Sequence, residues 1–188
     1  MKKSGMWTIS TTFAQAQYGE DESLVTDPRQ AVAPPWEHAR VVTAAKNAKT
    51  TDTAPAFTHL RNEERTVADV YHAGGQMLAG TDSPLDIPAT SLHLNLRAQV
   101  KYGGMKPWEA LTTATSASAK AYGYDKDLGT LQPGKLADLI IVAGDPLTNI
   151  DDLARVQCVA VNGQMRSVDE VAAPFTRDVP KNNVCSGR

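Results

Sequence analysis

Asp82 is the residue whose type and setting best suit chemistry. It closes the stretch Gly-Gly-Gln-Met-Leu-Ala-Gly-Thr-Asp-Ser-Pro that runs from Gly74 to Pro84. Met77, Leu78 and Ala79 form a short apolar run suited to a strand buried on both faces. Gly80 permits close backbone approach, and Ser83-Pro84 stops the strand directly after the carboxylate. An acid at the C-terminal end of a parallel strand occupies a functional position in α/β folds, where proton-transfer groups are concentrated. The competing structural reading is a carboxylate that only caps the turn or the next helix. Of the four histidines, His38, His59 and His72 read as ordinary surface or hydrogen-bonding residues, while His93 lies between site-lining and helix-packing roles. The chain has no His-x-His, no Gly-x-Ser-x-Gly nucleophile elbow, no phosphate-loop pattern and no His-Glu-x-x-His.

The elements that must position Asp82 follow from periodicity. Met6 to Phe13 alternates Trp7, Ile9, Thr11 and Phe13 against Thr8, Ser10 and Thr12 and reads as a strand. Tyr18 to Pro35 is a polar loop whose acidic run Gly19-Glu20-Asp21-Glu22-Ser23 reads as a solvated face. A helix is expected over Trp36 to Lys49, a loop over Thr50 to Thr58, and a second helix over Asn62 to Ala73 that Gly74-Gly75 ends. Helix, glycine stop, buried strand and acid make one α-to-β step of a parallel sheet. A third helix is expected from Ala89 to Tyr102, with Leu92, Leu96 and Val100 as a stripe facing the sheet. Pro107 opens a fourth, which runs through Thr115 to a stop at Gly123. Beyond Leu128 the pattern becomes a small antiparallel β module: an apolar run over Leu136 to Val142, a strand over Arg155 to Val161, an Asn162-Gly163 hairpin and a strand over Gln164 to Val168. Asp138 reads as structural, and the polar end from Arg177 to Arg188 as frayed.

Totals set the outer limits. At 188 residues the chain falls short of the roughly 250 typical of a complete (β/α)8 barrel. A net charge of -2 gives no electrostatic case for nucleic acid or an anionic membrane, so neither is expected as a partner. Cys158 in an apparent strand and Cys185 in the polar tail form neither a disulfide framework nor a metal-ligand spacing. They read as unpaired thiols fitting a reducing cytosol. Met1-Lys2-Lys3 is not followed by the apolar run of a signal peptide, and the expected location is cytoplasmic.

Several segments together resemble the C-terminal part of the metal-dependent amidohydrolases, particularly the imidazolonepropionase-like and prolidase-like branch. They are Gly80-Thr81-Asp82-Ser83-Pro84, Leu92-His93-Leu94-Asn95-Leu96, the stretch from Gly104 to Leu111 with Ala114-Thr115, and Leu128 to Leu139 (Leu-Gly-Thr-Leu-Gln-Pro-Gly-Lys-Leu-Ala-Asp-Leu). The likeness continues through Asp145-Pro146-Leu147 to Val161-Asn162-Gly163, and so covers roughly residues 60 to 168. Met6 to Phe13 is similar to the preceding barrel strand.

This resemblance implies an α/β fold: the C-terminal part of a (β/α)8 TIM-type barrel over residues 1–125, a small β-sandwich module over 126–170, and a polar tail over 171–188. It implies that Asp82 is both catalytic and a metal ligand, that His93 contacts substrate, and that the cofactor is a divalent metal, with Zn2+ the family expectation. Asn95 stands where the family pattern often has Glu. The family's paired histidines and later Lys or His ligands lie upstream of every matched segment, and one carboxylate cannot hold a catalytic zinc, which takes about three protein ligands. The expected function is therefore hydrolysis of a non-peptide C–N bond in a small molecule, with the missing ligands supplied by a complementary barrel polypeptide or by further copies of the chain. The alternative is a truncated barrel without catalysis, reused as a self-associating or partner-binding module.

Overall fold

β1 (Trp7–Ser10) and β2 (Gln76–Ala79) pair in parallel, in the register Trp7↔Gln76, Thr8↔Met77, Ile9↔Leu78 and Ser10↔Ala79. Parallel neighbours require a crossover, and here it runs through α1 (Pro35–Thr50) and α2 (Ala54–His72). The structure is a computed structural model that describes residues 5–11, 17, 21–24, 26–27, 35–50, 54–82, 90–174 and 185. The chain divides into two compact units, Met1–Lys106 and Pro107–Arg188. The expected stop at Ser83-Pro84, the end of the first strand at Thr12 and Phe13, and residues 175–184 and 186–188 of the polar tail lie outside the described residues.

In the first unit the α-to-β step is formed as expected. α2 ends on Gly74 at φ 81, and Gly75 N–H reaches back to Val70 O at 2.8 Å, a Schellman-type stop that turns the chain into β2. Gly80 N–H then donates to Ser10 O at 2.7 Å and extends the ladder past the last paired residues. A Cβ at position 80 would lie 2.6 Å from Ile9 Cγ2 and 2.8 Å from Thr11 Cγ2, so the close approach demands glycine. α2 buries Leu60, Glu64 and Ala68, one residue per turn on one side. Ala68 packs with Met77 of β2 and with Met105, flanked by Val67 and Tyr71, while Leu60 packs with Ala98 and Tyr102. α2 begins at Ala54, within the loop expected over Thr50 to Thr58; Pro55 fits because a first-turn residue needs no backbone donor. On α1, Val41 and Ala45 are buried and His38 is exposed, as the pattern indicated.

α3 (Ser91–Lys101) departs from the expected stripe. Every residue from Leu94 to Gln99 is buried, including Asn95, Arg97 and Gln99, whereas Leu92 is exposed. Polar side chains enter this packed helix because they are partnered: Gln99 Nε2 donates to Asn95 Oδ1 at 3.0 Å, and Arg97 bonds to residues some eighty positions earlier. Hydropathy at the helix period does not register partners so distant in sequence.

The second unit opens with α4 (Pro107–Ala114) and α5 (Ser116–Ala121), two helices where one was expected. The break at Thr115 falls in a run of hydroxyls bonded back to the helix. Thr112 Oγ1 donates to Trp108 O at 2.8 Å, Thr115 Oγ1 to Leu111 O at 2.7 Å, and Ser118 Oγ to Thr113 O at 2.7 Å. Such bonds compete with the backbone ladder and bend helices. β3 (Leu139–Val142), β4 (Val156–Val161) and β5 (Gln164–Ser167) follow as an antiparallel sheet in that order. Asn162 and Gly163 both have positive φ, 51 and 75, the geometry of a type I′ hairpin, and Asp138 accepts from Asn162 N–H at 2.6 Å, the structural role expected of it. Val168, expected in the last strand, instead starts α6 (Val168–Ala172) under a capping box between Ser167 and Glu170.

The cysteines correct a further expectation. Cys158 and Cys185 are joined in a disulfide across a sequence separation of 27, both are buried, and Cys185 Sγ lies against Gln157 O at 3.3 Å. The thiol argument for a reducing compartment falls with this pairing. Local pattern missed it because the two cysteines lie 27 positions apart.

Gly80→Ala is expected to lower stability by about 1–3 kcal/mol through overpacking against Ile9 and Thr11, read as a lower urea midpoint at unchanged m-value. Cys158→Ser is expected to cost about 2–4 kcal/mol through lost restraint of the unfolded chain, and a wild-type melt unchanged by a dithiol reductant would contradict the disulfide.

Candidate active site

Because β1 and β2 run in parallel, their C-terminal ends share one edge of the sheet. Ser10 ends the first strand there with Thr11 just beyond it, and Gly80, Thr81 and Asp82 follow the end of the second. Asp82 is exposed and its backbone is left-handed, with φ 52. Asp adopts this region more readily than most residues, but it is sparsely populated for any side chain bearing a Cβ and recurs at functional sites. The carboxylate is thus presented to solvent just past the last paired residues.

His93 is the third residue of α3 and is half-buried. A helix that follows a parallel strand runs back against it, so its first turns lie at that strand's C-terminal end, and α3 packs against β2. Asp82 follows β2, and His93 stands in the first turn of the next described helix. Asn95 does not face that edge as a free amide; it is buried and accepts from Gln99. His59, on the exposed side of α2, pairs with Glu63 at 3.0 Å beside a groove of about 450 Å³ that Ser10, Thr11, Asn62 and Thr66 also line. Ser10 Oγ is buried at the strand end without a hydrogen-bond partner among the described residues.

Among the described residues no group of three or more His, Cys, Asp or Glu side chains is placed to hold a metal ion. The donors among the described residues, Asp82 foremost, therefore do not by themselves fit the divalent metal that amidohydrolases generally use. Among the same residues no helix is long and apolar enough to cross a membrane.

One polar cluster in the first unit escaped the sequence. Arg97 is 7% exposed; its Nη1 donates to Gln17 Oε1 at 2.9 Å and its Nη2 to Asp21 Oδ2 at 2.8 Å. Gln17, fully buried, donates through Nε2 to Leu94 O at 2.9 Å. Ser23 N–H donates to Asp21 Oδ1 at 3.1 Å, and the Ser23 hydroxyl bonds to the same oxygen. Asp21 is thus a member of an ion pair, and not simply part of a solvated acidic face. Its carboxyl is held below the ordinary carboxylate value by the Ser23 hydroxyl first, then by the Ser23 amide and the charges of Arg97 and Lys101, against an opposing effect of burial. The readable signal was an arginine inside a helix stretch otherwise suited to burial.

With this geometry in hand, comparison with known proteins is informative. A parallel strand pair with crossover helices and an acid past its C-terminal end fits an α/β fold of the TIM-barrel type. The chain belongs to the amidohydrolase family: the model described as "Amidohydrolase family" matches residues 9–166. It is 33% identical to an imidazolonepropionase of Legionella pneumophila (strain Corby) over 88 residues, which cover 46% of this chain and 22% of that protein. A bottromycin amidohydrolase shares the fold at a TM-score of 0.61 and 20% identity, across 90% of this chain and 38% of the other. A Xaa-Pro dipeptidase crystallised with methionine in its active site does so at a TM-score of 0.57 and 23% identity, across 88% and 35%. The chain therefore spans a little over a third of the solved structures it resembles, and its matched part about a fifth of that imidazolonepropionase.

The lowered Asp21 carboxyl makes a stability contribution that is present above the ordinary carboxylate value of 3.8 and is lost as pH falls through the folded-state value. Asp21→Asn is expected to flatten that part of the acid limb and leave stability near neutral pH lower than wild type, measured by denaturant unfolding at a series of pH values; identical acid limbs would contradict the assignment.

Proposed function

We propose that this chain supplies part of a metal-dependent amidohydrolase that hydrolyses a non-peptide C–N bond in a small molecule. The observation that carries this reading is the position of Asp82: an exposed carboxylate in a left-handed conformation, one step past a parallel strand, inside the family-matched region. A carboxylate so placed accepts a proton from an attacking water and returns it to the departing nitrogen. A divalent metal, with Zn2+ as the first candidate, would supply the polarisation that makes water nucleophilic at neutral pH. Its remaining ligands come from outside the described residues, and no step is assigned to it on this chain.

The fold reading that accompanies this function is the C-terminal portion of a (β/α)8 barrel with a small β-sandwich module. What supports it is the parallel β1–β2 pair with its crossover helices, together with the likeness to the amidohydrolase structures. A two-stranded parallel sheet leaves backbone donors and acceptors along both outer edges, and parallel sheets are otherwise found covered. Further parallel strands, from a complementary barrel polypeptide or from other copies of this chain, would satisfy those edges and bring the missing ligands. His93, in the first turn of α3, is the residue we assign to substrate contact. The substrate class is suggested by the names of the relatives: an imidazolone propionate or another cyclic or substituted amide.

The test is Asp82→Asn in the metal-loaded assembly, assayed against a panel of an imidazolone propionate, a cyclic imide and a carbamate, with a Xaa-Pro dipeptide as the peptide-bond comparison. The expected outcome is a loss of about 10²–10⁴-fold in kcat, the worth of a positioned general base, with assembly mass and melting temperature unchanged. Retained turnover in Asp82→Asn would remove the residue from the mechanism. Normal assembly with no wild-type turnover on the panel would favour a binding module.

A further inference from the structure

The antiparallel sheet of the second unit has two outer strands, and they are finished differently. The order β3-β4-β5 leaves β3 and β5 outermost among the described residues. β5 carries the exposed Gln164 and Arg166, and α6 packs against it, two devices that blunt an edge. β3 is Leu-Ile-Ile-Val from Leu139 to Val142, with no charge and no proline. The irregularity in its pairing falls on β4, where Gln157 is the extra residue, so β3 itself runs without a bulge. Successive strand residues point to opposite faces, and Ile140 and Ile141 are 45% and 41% exposed. β3 is therefore apolar on both faces and fully covered on neither, the composition of a strand that lies between two others. Beside it opens a groove of about 520 Å³, lined by Leu139 and Ile140 of the strand and by Tyr122, Tyr124, Leu128 and Leu131. Strand addition uses such a pair of features, a backbone edge for affinity and an adjoining pocket for side chains.

We propose that the outer edge of β3 takes β3 of a second copy of this chain, antiparallel across a two-fold axis, so that the two sheets become one. The occupant follows from what the edge demands, an uncharged strand that is apolar on both faces. Among the described strands β3 itself is the one built wholly of aliphatic residues. Charge selects the direction. Parallel pairing in register would set the two Asp138 carboxylates side by side, a like-charge contact that costs stability. Antiparallel pairing centred on Ile141 sets Ile140 opposite Val142 of the second copy and Asp138 opposite its Gly144, so no charge meets its like. A two-fold axis normal to the sheet also closes the assembly at two copies and leaves no β3 edge free to propagate a fibre. The proposal concerns the second unit alone and stands or falls apart from the amidohydrolase reading.

The experiment measures the assembly mass of the full chain, by sedimentation and native mass spectrometry across a dilution series, for wild type, Ile141→Lys, Ile141→Asp and a mixture of the two variants. Each variant alone sets like charges against each other across the axis. The expected result is an assembly of half the wild-type mass, with the dissociation constant raised about 100-fold or more. The mixture is expected to regain the wild-type mass, since opposite charges then face each other. Val171→Lys, the same change at an exposed position on α6, is expected to leave the mass unchanged. Amide exchange of wild-type β3 reads the same contact without a substitution, and is expected to accelerate about tenfold or more on dilution to single copies. Wild-type mass retained by Ile141→Lys, or β3 amides indifferent to dilution, overturns the proposal. A wild-type monomer or an open-ended aggregate does the same. A distinct companion chain that Ile141→Lys releases would give the edge to another protein's strand and overturn the assignment to a second copy.

Discussion

Parallel strands cannot be joined by a tight turn, so pairing β1 with β2 obliges the chain to cross over through α1 and α2 and to return in the same direction. That obligation brings both C-terminal strand ends to one edge, and everything of chemical interest in the first unit follows from it. The approach of the two strands is close enough that position 80 must be glycine, and two residues later the chain turns into the left-handed region at Asp82. Met77 fixes the other end of the arrangement by packing with Ala68 of α2 and with Met105 beyond α3. The strand that carries the acid is thus held between the helix before it and the segment after the next.

Much of this was legible in the residues. Glycines 74 and 75 announced the end of α2, Met77 to Ala79 a buried strand, Gly80 a close approach, and Asn162-Gly163 a hairpin, because each depends on local backbone sterics or on short-range alternation. The motif order around Asp82, His93 and the stretch from Leu128 to Leu139 carried the family, and the match over residues 9–166 agrees. What stayed hidden depends on partners far away in sequence. The burial of Arg97 requires Gln17 and Asp21, and the disulfide requires Cys185 to return to β4. The break at Thr115 and the capping box at Ser167 were local, and attention to hydroxyls bonding back to the helix, and to Ser-x-x-Glu spacing, would have found them.

The first unit also explains why the family likeness and the metal chemistry do not meet within this chain's described residues. Asp82 stands at a strand end that suits a metal-linked carboxylate, yet no cluster of further ligands surrounds it there. Among the described residues the same unit has a sheet of two strands whose outer edges lack strand neighbours. Both deficits have one remedy, since additional parallel strands would pair the edges and deliver ligands at their C-terminal ends. On the proposed reading, a single assembly step would complete the fold and the site together.

Native mass spectrometry of the purified protein tests this account most directly, because one spectrum reports copy number, any distinct companion chain and tightly bound metal. The account predicts an assembly, with a different chain or with further copies of this one, that retains divalent metal and loses it on chelation. A stable metal-free monomer would contradict it.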